Sequence, residues 1–311
     1  MAEYDVIVIG SGPAGLTAAI YAGRALVKTL IIGGRTTGGQ LMLTSDVENF
    51  PGFANPIQGP SLMTEMRKQA ERFGAEIIDD DVERVDFSGP PFKVTVGNQT
   101  HTAKSVIIAT GSSAKWLGLP SESNLLGKGV SGCATCDGYF FRGKRVVVVG
   151  GGDTAIEEAL FLTKYATEVV VVHRRGELRA SKIMQQRALS NTKIRFVWNS
   201  VIQEVLGTKS VEGVKIKDVR TGELSIIACD GLFVAIGHQP NTKIFERQIA
   251  LDEKGYVISK GTKTSVDGVF VAGDVHDYKY RQAVTAAGEG CRAALDSLAY
   301  LEEQKQVTVS A

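Results

Sequence analysis

The stretch YDVIVIGSGPAG, residues 4–15, contains a short run of β-branched residues that leads directly into three glycines. Gly10, Gly12 and Gly15 have the spacing G-x-G-x-x-G, and the residues that follow, LTAAIYAGRAL, have the composition of a helix. In this spacing glycine permits a tight turn, close approach of a pyrophosphate and close helix packing, while the helix N-terminus stabilises the phosphate charge. The stretch therefore predicts a strand–turn–helix unit that binds a dinucleotide.

A second run of this kind, KRVVVVGGGDTA, begins at residue 144 and ends in the variant G-x-G-x-x-A. The strand that follows, EVVVVHRR, ends in His173, Arg174 and Arg175, and Arg179 lies about one helical turn later. An acidic residue at this point would repel a 2′-phosphate, whereas guanidinium groups bind one through charge-assisted hydrogen bonds. Unless these arginines form only a solvated surface, the second unit binds NADPH rather than NADH.

The first fingerprint lacks the acidic residue that usually binds the adenosine ribose about 20 residues further on. The second strand of this unit, TLIIGG, ends instead in Gly33 and Gly34. Either another group or the backbone of the glycine-rich loop GGRTTGGQ, residues 33–40, holds the ribose. The fingerprint alone therefore does not identify the first ligand.

The composition is that of a soluble globular protein. The 311 residues are 43% hydrophobic and 22% charged, and the formal net charge is +1. No global field therefore favours nucleic acid or an anionic membrane as a partner. Because the N-terminus lacks a secretory pattern and no apolar segment of about 18 residues occurs, we expect a cytoplasmic protein that does not span a membrane.

The two fingerprints and the chain length predict two domains, since a domain usually has about 100–200 residues. Glycine-terminated strands that lead into helices indicate an α/β fold. Candidate boundaries lie in the short strands and loop of residues 87–119 and in the stretch FVAIGHQPNT, residues 233–242. A head-to-tail duplication leaves too few residues after the second fingerprint, so the second unit is shorter than the first or nested within it.

Two of the four cysteines lie close together in the stretch SGCATCDGYF, residues 131–140. Cys133 and Cys136 could form a structural bridge, half of a zinc site or a redox-active dithiol. The loop between them is too short to stabilise the fold strongly, and the sequence offers no second pair of zinc ligands at suitable spacing. Sparse cysteines in a reducing compartment, together with two nucleotide sites, favour the dithiol.

The acidic residue behind this pair has two interpretations. Asp137 is either an acid–base residue for the thiols or a turn residue before Gly138, where aspartate often bonds to nearby backbone. The other two cysteines, Cys229 and Cys291, have no partner close in sequence. We expect both to be small buried residues.

With these motifs assembled, the chain resembles the low-molecular-weight thioredoxin reductases, a family of pyridine nucleotide-disulfide oxidoreductases, along nearly its whole length. The resemblance is carried, in chain order, by GSGPAG, GGQL, VENFPG, ATG, CATCDG, GGGDTAIEEA, HRRGELRA, AIGHQPNT and AGDVHDYKYRQAVTAAGEG. It implies an α/β fold of two Rossmann-like nucleotide-binding domains, with the NADPH-binding domain inserted in a discontinuous FAD-binding domain. The FAD domain would comprise residues 1–115 and 242–311, and the NADPH domain, with the cysteine pair, residues 116–241.

The resemblance also implies which residues hold the two cofactors. The final AGD and RQA segments return to the flavin, and the loop after the second strand replaces the missing ribose acid. The residues expected to contact FAD are Gly10, Gly12, Pro13, Ala14, Gly15, Gly33, Gly39, Gln40, Asn49, Val82, Ala109, Thr110, Gly111, Gly273, Asp274, Arg281, Gln282 and Ala283. Those expected to contact NADPH are Gly150, Gly152, Asp153, Thr154, His173, Arg174, Arg175, Arg179, Ile236 and Gly237.

In the reaction that the resemblance implies, a hydride passes from NADPH to FAD, and the reduced flavin reduces the cysteine disulfide. Cys136 faces the flavin, Cys133 attacks the disulfide of the substrate, and Asp137 protonates and deprotonates the thiols. The expected partner is thioredoxin or a similar dithiol protein, and the expected assembly is a homodimer. Two alternatives keep the same fold: a dithiol reductase that is driven by ferredoxin or serves another partner, and a non-catalytic nucleotide-binding redox sensor.

Overall fold

A computed structural model of the chain describes residues 2–44 and 46–310. It divides into two compact units. Unit 1 consists of Met1–Ser113 and Gln239–Ala311, and unit 2 consists of Ala114–His238. Unit 2 is therefore a continuous insertion between the two segments of unit 1.

The first segment of unit 1 alternates strands and helices around the first glycine fingerprint. A short 3-10 helix, Gly39–Leu43, lies in the loop after the second strand. The other elements are β1 (Ala2–Ile9), α1 (Pro13–Arg24), β2 (Thr29–Ile32), β3 (Asp46–Val47), β4 (Ile57–Gln58), α2 (Gly59–Arg72), β5 (Glu76–Ile78), β6 (Arg84–Asp86), β7 (Phe92–Val96), β8 (Gln99–Ile108) and β9 (Ser112–Ala114).

Unit 2 follows within β9 and contains the second fingerprint and the cysteine pair. Its elements are α3 (Pro120–Asn124), β10 (Val130–Ser131), α4 (Ala134–Asp137), a 3-10 helix (Gly138–Phe141), β11 (Arg145–Val149), α5 (Asp153–Leu162), β12 (Glu168–Val172), α6 (Lys182–Leu189), β13 (Ile194–Val197), β14 (Ser200–Leu206), β15 (Gly213–Asp218), β16 (Leu224–Ala228) and β17 (Gly231–Val234). The chain returns to unit 1 within β18 (His238–Pro240) and continues through a 3-10 helix (Lys243–Phe245), β19 (Val269–Val271) and α7 (Ala283–Ser310).

Unit 1 is built on a seven-stranded sheet whose parallel part has the order β5-β2-β1-β8-β19. In the centre, Ile9 of β1 lies opposite Ile32 of β2 and Ile108 of β8, so these strands end at one edge. The first half of β8 pairs antiparallel with β7, which pairs with β6. Because the chain leaves parallel strands at their carboxyl ends, the loops after β1, β8 and β19 meet at this edge, where ligands bind in such sheets.

Both faces of the sheet in unit 1 are buried, as the unbroken apolar run of β1 predicts. Successive side chains of a strand point to opposite faces. Val6 and Val8 accordingly join one core cluster with residues of α1 and α7, whereas Ile7 and Ile9 join a second cluster that includes Phe92. The sheet, whose edge carries the loops after β1, β8 and β19, therefore lies between two packed layers.

Unit 2 contains a five-stranded, entirely parallel sheet of order β10-β17-β11-β12-β13. Val149 of β11 lies opposite Val172 of β12 and Val234 of β17, so the loops after these three strands also meet at one edge. Residues of α5 cover one face of this sheet. The antiparallel sheet β14-β15-β16 contributes to the core on the other face.

The parallel part of the sheet in unit 1 and the parallel sheet of unit 2, both with covered faces, confirm the predicted α/β class and its two Rossmann-like units. Across residues 2–44 and 46–310, no helix has the length and apolar character that crossing a membrane requires.

Candidate active site

The loop after β1 forms the first glycine fingerprint. Gly10 has a φ of +116°, and a Cβ there would lie 2.2 Å from the carbonyl oxygen of Ala109. A Cβ on Gly15 would lie 1.9 Å from the carbonyl oxygen of Gly10, so neither position accepts a side chain. A Cβ on Gly12, by contrast, would meet no atom within 4 Å. Gly12 therefore borders open space, which is what close approach of a pyrophosphate to the backbone requires.

The N-terminus of α1 adds a favourable electrostatic environment to this space. α1 begins at Pro13, directly after Gly12, and no side chain caps its N-terminus. Its first turn also contains no acidic residue. The amide groups and the positive end of the helix dipole thus remain available to an anion. The turn fits the pyrophosphate of a dinucleotide such as FAD.

A buried hydroxyl fixes the glycine-rich loop that was expected to bind the ribose. Ser11 Oγ donates to the carbonyl oxygen of Gly33 at 2.8 Å and accepts the N–H of Gly38 at 3.0 Å. Further along the chain, Asn49 Nδ2 donates to Gln282 Oε1 at 3.4 Å, which joins two predicted FAD residues. The remaining loop residues expected at the cofactor, Gly39 and Gln40, are the first two residues of the 3-10 helix that begins at the end of this loop.

The AGD segment after β19 lies beside the same fingerprint. Ala272 donates its N–H to the carbonyl oxygen of Ile108 at 2.9 Å, which continues the pairing of β19 with β8. A Cβ on Gly273 would lie 3.0 Å from the Cβ of Ala14 in the first turn of α1. The fold thus brings the predicted residues Ala14, Gly273 and Asp274 together from opposite ends of the chain.

Glu289 of α7 holds the AGD segment in place. Its carboxylate accepts the N–H of Gly273 at 2.7 Å and lies 2.8 Å from His276 Nε2. Burial alone would raise the pKa of Glu289, but the hydrogen bonds from His276 and Gly273 outweigh it and hold that pKa below its usual value. Burial, assisted by the nearby carboxylate of Asp277, raises the pKa of Asp274 to about 7. Asp274 can therefore hold a proton near neutral pH and donate a hydrogen bond.

The ATG turn after β8 is fixed by Asn241. Thr110 Oγ1 donates to the carbonyl oxygen of Asn241 at 2.8 Å, and Asn241 Nδ2 donates to the carbonyl oxygen of Thr110 at 2.9 Å. The N–H of Asn241 donates to the carbonyl oxygen of Gly111 at 3.0 Å. Val82, another predicted FAD residue, packs against the core of unit 1. Arg281 directly precedes Gln282 and the first residue of α7, Ala283.

The loop after β11 repeats the glycine arrangement in unit 2. A Cβ on Gly150 would lie 2.4 Å from the carbonyl oxygen of Ala235, whereas a Cβ on Gly152 would meet no atom within 4 Å. Ala155, in the third position of the fingerprint, is buried. No side chain caps the N-terminus of α5, which begins at Asp153. This turn, too, fits a dinucleotide pyrophosphate.

The segment after β12 carries the predicted basic residues. Arg174, Arg175 and Arg179 are exposed. His173 is buried, and a Cβ on Gly151 would lie only 2.3 Å from its ring. Burial, and secondarily the charge of Arg179, lowers the pKa of His173, so its imidazole is neutral at neutral pH. His173 therefore supports the glycine loop from beneath, while the three arginines offer positive charge at the surface.

Two hydrogen bonds from backbone N–H groups tie the Arg179 segment to the fingerprint of unit 2. The N–H of Arg179 donates to the carbonyl oxygen of Gly151 at 2.7 Å. The N–H of Ser181 donates to Asp153 Oδ1 at 2.8 Å, and this bond lowers the pKa of Asp153. The other residues predicted to contact NADPH follow the strand ends at the same edge of the sheet: Thr154, Ile236 and Gly237.

The cysteine pair forms a disulfide at the short helix α4. Cys133 and Cys136 are joined through their sulfurs, with their Cα atoms 5.4 Å apart. Cys133 is the N-cap residue of α4, and its Sγ accepts the N–H of Cys136 at 3.3 Å. Thr135 Oγ1 lies 3.4 Å from the same sulfur. In the described part of the chain, no cluster of three or more His, Cys, Asp or Glu side chains could hold a metal ion.

Asp137 is the last residue of α4 and is half-buried. Its N–H donates to the carbonyl oxygen of Cys133 at 3.1 Å. Burial is the largest effect on its carboxyl group and raises its pKa, against the opposing effect of a hydrogen bond with Ser131. Such a carboxyl keeps its proton at a pH where an ordinary aspartate has lost it, which suits a proton donor.

The two remaining cysteines differ from each other. Cys229 is buried, and burial raises the pKa of its thiol to about 12, so it is inert at neutral pH. Cys291, on α7, is half-buried rather than buried as expected.

Comparison with known proteins decides the family. A family model described as pyridine nucleotide-disulphide oxidoreductase matches residues 4–290. The chain belongs to this family. A thioredoxin reductase from Rickettsia conorii is 54% identical over 304 residues, which cover 96% of this chain and 98% of that protein. One from Streptomyces coelicolor is 55% identical over 301 residues, with coverages of 96% and 94%.

Solved structures agree with this assignment. A thioredoxin reductase from Giardia duodenalis has a TM-score of 0.93 and 45% identity, covering 97% of this chain and 100% of that one. The enzyme from Streptococcus pyogenes also has a TM-score of 0.93, with 42% identity and coverages of 97% and 99%. The resemblance to the low-molecular-weight thioredoxin reductases is therefore confirmed.

Sequence patterns did not predict three residues that position the loops of this pyridine nucleotide-disulphide oxidoreductase. Ser11 occupies a variable position of the fingerprint, and Asn241 and Glu289 lie outside the elements they fix. Thr110 and Asn241, for example, are 131 positions apart in the chain, so a local sequence pattern cannot predict that they form a hydrogen bond. For Ser11, the sequence did offer a signal, because a polar residue occupies a variable position of the fingerprint.

Proposed function

We propose that this pyridine nucleotide-disulphide oxidoreductase is an NADPH-dependent flavoprotein, a thioredoxin-disulfide reductase, that reduces the active-site disulfide of thioredoxin. The observation that carries the proposal is the disulfide between Cys133 and Cys136, which lies in a chain with two dinucleotide-binding turns. Relatives named thioredoxin reductase are 54–55% identical over nearly the whole chain.

The two turns are assigned to different cofactors. We assign FAD to residues 1–115 and 242–311 and NADPH to residues 116–241. The exposed Arg174, Arg175 and Arg179 support NADPH in the second turn, because guanidinium groups pair with a 2′-phosphate. His173 acts there as the buried support of the glycine loop rather than as a donor at the surface.

In unit 1 the residues of this chain bind and orient FAD. The amides at Gly12 and the N-terminus of α1 receive the pyrophosphate, while Gln40 and Asn49 replace the missing ribose acid. Asp274, the last residue of the AGD segment, has a pKa raised to about 7, so it can hold a proton and donate a hydrogen bond to the cofactor. Bound FAD supplies the two-electron carrier between NADPH and the cysteine pair.

The cysteine pair passes two electrons to the substrate disulfide. The thiolate of Cys133 attacks one sulfur of that disulfide, and the other sulfur leaves as a thiolate. Cys136 then attacks Cys133 Sγ, which releases the second substrate sulfur and restores the disulfide seen here. Cys136 is assigned to the flavin side and Cys133 to the substrate side.

Asp137 supplies and removes the protons of this exchange. When the disulfide is reduced, one sulfur takes up a proton that must later be removed. The raised pKa of this carboxyl group is closer to the pKa of a thiol than the pKa of an ordinary aspartate is. Proton transfer between the two groups is therefore easier in both directions. Its short connection to Cys133, through the 3.1 Å backbone hydrogen bond, keeps it next to the pair.

The expected partner is thioredoxin or a similar dithiol protein, and we propose that the enzyme is a cytoplasmic homodimer. Sedimentation equilibrium distinguishes the mass of one chain from that of two. A single-chain mass at micromolar concentration would contradict the homodimer without affecting the reaction proposed above.

The visible spectrum of the purified protein tests the cofactor and the electron donor together. The protein should show a flavin band that bleaches when NADPH is added under anaerobic conditions and responds much more weakly to NADH. A colourless protein that does not take up FAD, or equal bleaching by both nucleotides, would contradict the proposal.

A further inference from the structure

Two hydrogen-bond donors converge on one of the two sulfurs of the disulfide. Cys133 Sγ lies 3.3 Å from the backbone nitrogen of Cys136 and 3.4 Å from Thr135 Oγ1. Both contacts arise within a single turn, because Cys133 is the N-cap of α4 and Thr135 is its second residue. They therefore depend on the local sequence Cys-Ala-Thr-Cys and on the geometry of α4.

The direction of these bonds follows from chemistry. A sulfur in a disulfide carries no hydrogen, so Cys133 Sγ can only accept. A hydroxyl group can donate one hydrogen, and an amide nitrogen can only donate. Thr135 is therefore the donor in its contact with Cys133, and Cys133 Sγ accepts two hydrogen bonds.

We infer that Thr135 is a further catalytic residue, whose hydroxyl stabilises the thiolate of Cys133 when that thiolate attacks the substrate. The inference rests on the proposed function, which assigns the attacking role to Cys133. Hydrogen bonds to an ionised acceptor are stronger than those to a neutral one, so the contact seen in the disulfide strengthens on reduction. A hydrogen bond to the charged form lowers the pKa of the group.

The hydroxyl acts in one step of the reaction. The Cys133 thiolate, with Thr135 donating to it, attacks a substrate sulfur; the substrate S–S bond breaks and its other sulfur departs with the electron pair. In the mixed disulfide, Cys133 Sγ is neutral again; the thiolate of Cys136 then attacks Cys133 Sγ, the bond from Cys133 to the substrate sulfur breaks, and that substrate sulfur departs with the electron pair. Thr135 is exposed and Cys133 is half-buried, so a partner that approaches from solvent can reach both residues.

The pKa of Cys133 can be measured without turnover. In the Cys136→Ser variant Cys133 is a single thiol, and its alkylation rate by iodoacetamide as a function of pH gives the pKa. Mass spectrometry of the peptide that contains Cys133 separates it from Cys229 and Cys291. Adding Thr135→Val, which keeps the shape of the side chain and removes the hydroxyl, should raise the midpoint by about 0.5–1 pH unit.

Thr135→Ser is the matched control, because it keeps the hydroxyl and should leave the midpoint close to that of the Cys136→Ser parent. An unchanged midpoint in Thr135→Val, or an equal shift in both variants, would overturn the inference. Thioredoxin reduction by the unmodified enzyme is assayed separately. Failure of that assay refutes the proposed function, whereas the alkylation midpoint judges only the role of Thr135.

Discussion

Replacing Gly12 with alanine should separate cofactor binding from folding in unit 1. Gly12 has φ −72° and ψ −175°, which alanine adopts, and the added methyl group would meet no protein atom within 4 Å. Since alanine restricts the unfolded chain, the free energy of unfolding of the apoprotein should stay constant or rise by about 0.4–1 kcal/mol. The methyl group would project into the space assigned to the pyrophosphate, and such overpacking costs about 1–3 kcal/mol, or ~5- to 150-fold in FAD affinity.

Gly15→Ala is the matched control, because its methyl group cannot be accommodated. It would lie 1.9 Å from the carbonyl oxygen of Gly10, whereas ordinary contacts begin at 3.4 Å. Either the turn or α1 must therefore move, at a cost of at least about 1–3 kcal/mol to the fold itself. At roughly 2–4 °C per kcal/mol, the Tm of the apoprotein should fall by several degrees.

Gly152→Ala extends the comparison to unit 2, where the added methyl group also meets no protein atom within 4 Å. The assay is the FAD content and FAD titration of each apoprotein, together with calorimetric titration of NADP⁺. Gly12→Ala should lose FAD and keep NADP⁺, and Gly152→Ala should do the reverse. Wild-type FAD affinity in Gly12→Ala, or an exchange of the two losses, would refute the assignment of the cofactors to the units.

Three further substitutions test individual contacts. Asp153→Ala removes the acceptor of the Ser181 N–H and should raise KM for NADPH several-fold, while KM for NADH changes little. Asp153→Asn keeps an acceptor and should leave both KM values unchanged. Steady-state kinetics with both nucleotides tests this difference. Asp137→Asn should lower turnover by about 10²–10⁴-fold. Because burial raises the pKa of Asp137, the native carboxyl contributes most stability at low pH and loses it as pH rises, so thermal scans should find Asp137→Asn relatively more stable at pH 7 than at pH 4. Glu289→Ala frees the N–H of Gly273 and should reduce FAD retention on gel filtration more than Glu289→Gln does.

The fold class could be predicted from sequence because glycine spacing and strand composition are local. Gly10 and Gly150 are followed by open positions at Gly12 and Gly152, and in both turns the backbone geometry agrees with what the spacing predicts. The chemical character of the cysteine pair was equally local, since a short loop and the absence of further ligand pairs in sequence disfavoured a staple or a zinc site.

Orientation and distant contacts could not be predicted in the same way. His173 directly follows β12, whose valines are buried on both faces of the sheet, and only the structure shows that its ring packs beneath Gly151 instead of facing solvent beside Arg174. Asn241 and Glu289 act through hydrogen bonds to turns far away in sequence. Such contacts depend on how the sheet and helices assemble, and no spacing rule records them.

The most direct test of the central claim is NADPH oxidation with oxidised thioredoxin as the acceptor. The enzyme should consume NADPH only when thioredoxin is present, and free thiols should appear on thioredoxin in step with NADPH loss. Cys133→Ser should abolish this transfer while NADPH still bleaches the flavin. Retained thioredoxin reduction by Cys133→Ser, or NADPH consumption that does not depend on thioredoxin, would contradict the account.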